Sequence, residues 1–320
     1  MNFVSCSRCG QTGTERLLWT IPDRLWFPDC YFNLVQCEHC GFVYLNPRPN
    51  AKELERHYPA AGYCLPELPA QIPPAFRWRL RELEARQRGG RLLDVGCGNG
   101  LLLAFALHRG WDGYGIDVSP GGVEEVKKRL GDRVALATLV EAGYPSDYFD
   151  VVSLFEVLEH LPDPIDQLRE IHRILKPGGS VCLSVPNFAS LECWVFGKWW
   201  AGLDAPRHFQ QFTPESLRFC LEVAGFEVAE LRSINADKIQ AGKQTITYCQ
   251  ESLRFFLRDL GLYPRRAGPS NGELATPSPQ ERPAWKRGIH WLEWLTFYPF
   301  CMLAHRLDRD NTLWAWGRKS

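Results

Sequence analysis

From residue 91 onward the sequence predicts an α/β fold built on a doubly wound, mostly parallel sheet, preceded by a small metal-binding module. Three observations carry this. Strand patterns near 91–95, 113–117, 133–137, 150–155, 180–185 and 226–233 alternate with helical stretches such as 120–130 and 165–175, and such alternation puts helices on both faces of a parallel sheet. The buried-strand pattern Arg91-Leu92-Leu93-Asp94-Val95 runs into the turn Gly96-Cys97-Gly98-Asn99-Gly100, and Asp117 closes the next strand seventeen residues beyond it. Two pairs, Cys6-x-x-Cys9 and Cys37-x-x-Cys40, punctuate an N-terminal stretch rich in Cys, Pro and aromatic residues.

Residues 1–50 read as a zinc ribbon. Each C-x-x-C holds two thiolates on one side of a tetrahedral ion, and Gly10 and Gly41, directly after each pair, suit the tight knuckles this needs. The 27 residues between the pairs are filled by a hairpin with strands around Leu17–Trp19 and Tyr31–Val35. Four sulfur ligands leave no open position, so this metal supports folding and not chemistry. The alternative is two redox or coincidental pairs, but no thioredoxin-like βαβ pattern surrounds either. His39 is a surface residue between ligands. Residues 51–90 form a helical connector whose Trp78, Leu80 and Leu83 are spaced for one face of a helix over 77–88. Tyr58 and Tyr63 in it either pack in the core or lean over the adjoining site.

The glycine turn marks a nucleotide-cofactor site. Glycines let backbone bend and approach a ligand, the helix starting near Leu101 aims free N–H groups at a negative group, and an acid closing the next strand accepts from ribose hydroxyls. The dinucleotide fingerprint G-x-G-x-x-G needs glycine where Leu101 stands. The pattern L-L-D-V-G-C-G-N-G, then G-Y-G-I-D-V-S, resembles the first two motifs of the class I S-adenosylmethionine-dependent methyltransferases. The resemblance continues through 149–164 (F-D-V-V-S-L-F-E-V-L-E-H-L-P-D-P), 175–187 (L-K-P-G-G-S-V-C-L-S-V-P-N) and 207–217 (R-H-F-Q-Q-F-T-P-E-S-L), covering roughly residues 75–233 in order.

That resemblance implies a Rossmann-like, seven-stranded methyltransferase sheet spanning 91–233. The short pattern over 312–320 supplies its last, antiparallel strand, and 234–311 is an insertion. It also implies S-adenosylmethionine as cofactor. Gly96, Cys97 and Gly98 then wrap the methionine portion, Asp94 orients its ammonium, Asp117 holds the ribose and Val118 lies against the adenine. Thr138 stands where similar enzymes carry an adenine-reading acid, leaving the Leu139 backbone N–H as a contact. Phe155 and Glu156 line the methyl-donor pocket.

A hydroxyl acceptor must lose a proton, a task suited to histidine at neutral pH. His208 is the candidate base, on a loop just before a helix announced by Thr213-Pro214, a Thr N-cap with Pro at N1. The alternative for His208 is a structural hydrogen bond anchoring its loop. His160 is a structural residue at a helix start, or one within reach of substrate. His57, His108, His172, His290 and His305 show no partner pattern.

Within the insertion, residues 265–283 lack apolar periodicity and read as a disordered loop. The aromatic stretch 285–304 is too short and too polar to span a bilayer. It reads as a helical lid over the substrate pocket, or as an interfacial helix in peripheral contact with the inner face of the membrane, and either suits a bulky or lipid-attached acceptor.

Equal numbers of basic and acidic residues, 37 each, give no net charge to attract a polyanion, so nucleic acid is disfavoured as substrate. The N-terminus lacks a basic n-region and an apolar h-region, which predicts a cytoplasmic protein. Cys97, Cys182, Cys193, Cys220, Cys249 and Cys301 lie singly in apolar stretches, as reduced buried thiols do. The expected function is methyl transfer to an oxygen or carbon of a small-molecule or glycan-precursor acceptor, of sugar, lipid-linked or secondary-metabolite type. The competing readings are a nucleic-acid methyltransferase, a noncatalytic zinc-ribbon scaffold and an NAD-linked oxidoreductase.

Overall fold

The computed structural model describes residues 1–58, 72–235, 247–263 and 297–320. Tyr63, the 265–283 loop and the 285–296 part of the aromatic stretch lie outside the described residues. The N-terminal strands are β1 (Glu15–Pro22), β2 (Tyr31–Cys37) and β3 (Val43–Leu45), followed by helices α1 (Ala51–Glu55) and α2 (Pro74–Arg86). The main alternation is β4 (Gly90–Val95), α3 (Leu101–His108), β5 (Trp111–Asp117), α4 (Pro120–Leu130), β6 (Val134–Leu136), β7 (Phe149–Phe155), α5 (Pro164–Ile174) and β8 (Leu175–Pro186). Then come α6 (Leu191–Phe196), β9 (Gln210–Gln211), α7 (Pro214–Val223), β10 (Phe226–Ile234), α8 (Thr247–Asp259), a helix over 297–306 and β11 (Thr312–Lys319).

Seven strands form one sheet in the order β10-β11-β8-β7-β4-β5-β6. β4 pairs in parallel with β5 and β7, β5 with β6, and β7 with β8, while β11 is antiparallel to both β8 and β10. This is the Rossmann-like methyltransferase arrangement. β10 runs through Ile234, one residue past its expected end. The strand order reverses between β4 and β7, and the carboxyl ends of strands at such a switch point are where open α/β sheets bind ligands.

Local chemistry accounts for the elements around that edge. β7 is buried on both faces, so Val151, Val152, Leu154 and Phe155 form an apolar run broken only by Ser153, instead of an alternating one. α7 starts at the Thr213 N-cap, whose hydroxyl accepts from the Ser216 N–H, with Pro214 at N1 where its missing N–H costs nothing. α2 buries Leu80 and Leu83 and sets Trp78 edge-on to Trp314 of β11, with ring centroids 4.6 Å apart.

The second sheet has the order β1-β2-β3-β9, all antiparallel. β1 and β2 are the expected hairpin, but β3 and β9 are additions to it. β9 comes from the loop carrying His208, with Val43 opposite Gln211 and Tyr44 opposite Gln210. The ribbon sheet is thus completed by a strand from more than 160 residues away in sequence, and a two-residue strand has no periodicity to reveal it.

Candidate functional site

At the cofactor edge the turn is held by backbone. The N–H groups of Gly96 and Cys97 both donate to the Ile116 carbonyl, at 2.8 and 3.0 Å. Gly96 has φ +69, and a Cβ there would come within 2.5 Å of Val157 Cγ2, so position 96 takes only glycine. At Gly100, also φ +69, a Cβ would press on Val126 of α4 at 2.6 Å. Asp117 spans the turn: its Oδ2 accepts from Gly98 N–H and its Oδ1 from Ser119 N–H, each at 2.8 Å. Val118 beside it is 68% exposed, an open apolar face. Leu139 is buried, and Thr138 donates through both its N–H and its hydroxyl to the Glu141 carboxylate at 2.9 and 2.8 Å. A carboxylate therefore does sit at position 138, delivered by a residue three places later.

Asp94 is buried at the end of β4 and accepts from Ser153 Oγ at 2.7 Å. Burial pushes its pKa up to about 6, against the Ser153 hydrogen bond and the Arg79 charge. Arg79, on α2, lies with its guanidinium 4.7 Å over the Phe155 ring, which stacks in turn on Trp314 at 5.3 Å. Burial also raises Glu156, opposed by the Ser184 hydroxyl, which donates to it at 2.8 Å, and by Arg79. Glu156 has φ +60, rare for a non-glycine residue and common at functional sites. Sequence patterns did not flag Arg79; a lone arginine on an amphipathic helix gives no signal.

Glu156 also borders a cavity of about 390 Å³ whose wall includes Arg24, Asp204, His208, Tyr248 and Phe255. Three separate stretches meet here: the segment after β1, the 201–208 loop and α8. The loop is anchored by charge. Arg207 bonds Asp204 at 2.6 Å and Asp23 at 3.2 Å, and Asp23 holds the buried His57 Nδ1 at 2.6 Å. Burial alone would raise Asp204, but Arg207 outweighs it and holds the carboxyl below its ordinary value. His57, without a partner in sequence, is thus part of the scaffold under the site.

His208 Nδ1 donates to the Gly202 carbonyl at 2.8 Å, which fixes the proton on Nδ1 and leaves the Nε2 lone pair free. Burial lowers its pKa, so the ring is neutral at pH 7. His160 is arranged alike: Nδ1 donates to the Arg207 carbonyl at 3.0 Å, with the Tyr58 hydroxyl also at 3.0 Å. Burial, then His208, drive His160 down to about 3. Both Nε2 atoms point toward Glu159 Oε1, from 3.9 Å for His160 and 3.8 Å for His208. Glu159 is buried, and neither of its oxygens has a hydrogen-bond partner among the described residues. Donor atoms of Glu159, His160 and His208 lie within 4.8 Å of one another, a set able to hold a divalent cation.

The structure brings the sequence-derived residues to two adjoining places. Asp94, Gly96, Cys97, Gly98, Asp117, Val118, Thr138 and Leu139 lie along the ends of β4, β5 and β6, while Glu156, His160 and His208 gather beyond β7 with Phe155 between. The four N-terminal cysteines form a separate cluster. Cys6 Sγ is 3.5 Å from Cys40 Sγ and Cys9 Sγ 3.7 Å from Cys37 Sγ, with all four sulfurs within 4.8 Å. The two knuckles match: Gly10 N–H donates to Cys6 O and Gly41 N–H to Cys37 O, both at 2.8 Å, with φ of +74 and +75. The donor set and spacing fit a tetrahedral zinc ion.

A family model described as a methyltransferase domain matches residues 70–231, about half of the chain. The chain is 36% identical over 114 residues to the ubiquinone biosynthesis O-methyltransferase of Pseudomonas aeruginosa (strain UCBPP-PA14), covering 31% of this chain and 45% of that protein. It is 32% identical over 181 residues to the same-named protein of Ralstonia nicotianae, covering 50% and 72%. The chain spans about half the length of the first of these relatives. Among solved structures, a SAM-dependent methyltransferase from Archaeoglobus fulgidus aligns over 75% of this chain and 91% of its own, at 20% identity and a TM-score of 0.46. By the matched domain and by the relative covered over most of its length, this chain belongs to the methyltransferase-domain family.

Proposed function

We propose that the protein is an S-adenosylmethionine-dependent methyltransferase acting on a hydroxyl of a small-molecule acceptor, glycan precursors included. One observation carries the reading: the glycine turn with Asp117 adjoins, through Phe155 and Glu156, a cavity into which His208 presents a neutral imidazole. The bound cofactor supplies an electrophilic methyl. The chain supplies its environment: Asp117 for the ribose, Val118 for the adenine face, and Asp94 beside Arg79 for the ammonium and carboxylate of an amino acid end. Holding an acceptor oxygen about 3 Å from a methyl is worth up to ~7–11 kcal/mol by positioning alone. His208 Nε2 takes the hydroxyl proton, because Gly202 occupies Nδ1. Arg24, whose buried Nη2 has no hydrogen-bond partner among the described residues, suits a negative group on the acceptor.

Calorimetric titration with S-adenosylmethionine and, separately, NAD tests this. Micromolar binding of the former alone supports it; binding of NAD alone, or of neither, sinks it.

The unpartnered Glu159 carboxylate favours a variant of the same reading, in which Glu159, His160 and His208 hold a divalent cation that lowers the acceptor hydroxyl's pKa. Dialysis against EDTA is then expected to lower turnover at least tenfold, with recovery on adding Mn²⁺, an ion that four thiolates do not favour. Unchanged turnover leaves His208 as the base without metal.

The N-terminal cluster is assigned a structural zinc. Cys6→Ser with Cys9→Ser is expected to lose that zinc, read by metal analysis, and much of the soluble yield, because β3 and β9 link the ribbon to the His208 loop. Zinc retained at the Cys6–Cys40 cluster of the double variant would overturn the four-thiolate site. Among the described residues no helix is long and apolar enough to cross a membrane.

A further inference from the structure

Away from the cavity, three helices bring together a second group of metal donors. Glu192 on α6, Cys249 on α8 and Cys301 on the 297–306 helix each offer one donor atom, and the three atoms lie within 4.8 Å of one another. All three residues are buried, at 3%, 0% and 4% exposure. We propose that Glu192, Cys249 and Cys301 form a second zinc site, which pins the 297–306 helix to α6 and α8.

The chemistry of the donors selects the ion. Two thiolates favour a soft or borderline cation and exclude Mg²⁺ and Ca²⁺, which take oxygen ligands. Zn–S bonds of about 2.3 Å and Zn–O bonds of about 2.0–2.2 Å place tetrahedral donors roughly 3.5–3.8 Å apart. The sulfurs of the N-terminal cluster stand at the same spacing, 3.5 and 3.7 Å.

The carboxylate is already oriented. Asn311 Nδ2 donates to Oε1 and Oε2 of Glu192 at 3.1 and 3.3 Å, the kind of outer hydrogen bond that holds a metal ligand in place. Phe196, Phe297 and Phe300 pack around the two cysteines and shield them from bulk solvent. Binding releases the two thiol protons, and a water completes the tetrahedron. A simple disulfide would use both sulfurs and take from Glu192 the thiol of Cys249, to which its carboxylate is hydrogen-bonded. Because α8 also walls the cavity, the ion would tie the C-terminal helix to the acceptor site. Sequence spacing could not reveal this site, since its ligands are more than 50 residues apart and none is in a C-x-x-C pair.

The test is metal analysis of the full chain purified under reducing conditions, with Co²⁺ reconstitution as a spectroscopic readout. Two zinc ions per chain are expected, falling to one in Cys249→Ser/Cys301→Ser. Co²⁺ should give a two-thiolate spectrum beside the four-thiolate one, and Glu192→Gln, which barely changes volume, should weaken the two-thiolate site at least tenfold while sparing the other. Fewer than two zinc ions in the wild type would overturn the site, as would two in the double variant. So would an unchanged two-thiolate site in Glu192→Gln, which stands as the deciding variant if the double variant does not fold. A Cys249–Cys301 disulfide in a non-reducing peptide map of protein kept under reductant would also overturn it.

Discussion

Asp117→Ala is expected to abolish measurable cofactor binding. The carboxylate closes β5 with one oxygen on Gly98 N–H and the other on Ser119 N–H, so it shapes the turn as well as facing the ligand. Hydrogen bonds to a charged group contribute about 1.5–3 kcal/mol each, so losing two from ribose hydroxyls weakens binding by roughly 10²–10⁴-fold. The loosened turn adds to that loss. Calorimetry reads it directly, and the turn's remaining anchor, the Ile116 carbonyl accepting from Gly96 and Cys97, should keep the fold intact in a melting experiment. Wild-type affinity in Asp117→Ala would remove the ribose role and with it the present placement of the cofactor.

His208→Asn separates the two roles open to this histidine. The asparagine amide can still donate to the Gly202 carbonyl as Nδ1 does, so the loop keeps its anchor, but nothing replaces the Nε2 lone pair. If His208 is the base, kcat falls by about 10²–10⁴-fold with cofactor affinity unchanged. If its role is only structural, Asn restores most of the activity that alanine removes. The pH profile gives an independent reading. Because burial lowers the His208 pKa, the reactive neutral form persists below the usual imidazole range, and activity should decline only as pH falls beneath it. A decline centred above the usual imidazole pKa would contradict the buried, neutral ring.

Much of this was legible in the sequence for specific reasons. The β4 turn could be read because only glycine tolerates φ +69 against Val157, and because Asp117 must follow at a fixed distance to meet Gly98. The four N-terminal cysteines could be read because a knuckle puts both members of a pair within one turn of chain. The α7 cap at Thr213 and Pro214 was legible for the same reason, its physics being local. Arg79 and Glu141 were not: one reaches the site from a helix that shows only its apolar face in sequence, and the other curls back to accept from Thr138.

What the sequence by itself determined is therefore the sheet, the glycine turn with its acid, and the N-terminal cysteine pairs, since each depends on residues close along the chain or on strand periodicity. Only the tertiary structure decided that β9 joins β3, that Arg207 ties Asp204 to Asp23 beneath the His208 loop, and that Glu159 meets two imidazole lone pairs without a hydrogen-bond partner. Those contacts join distant segments through burial and charge, and burial and charge at one point in space leave no pattern along the chain.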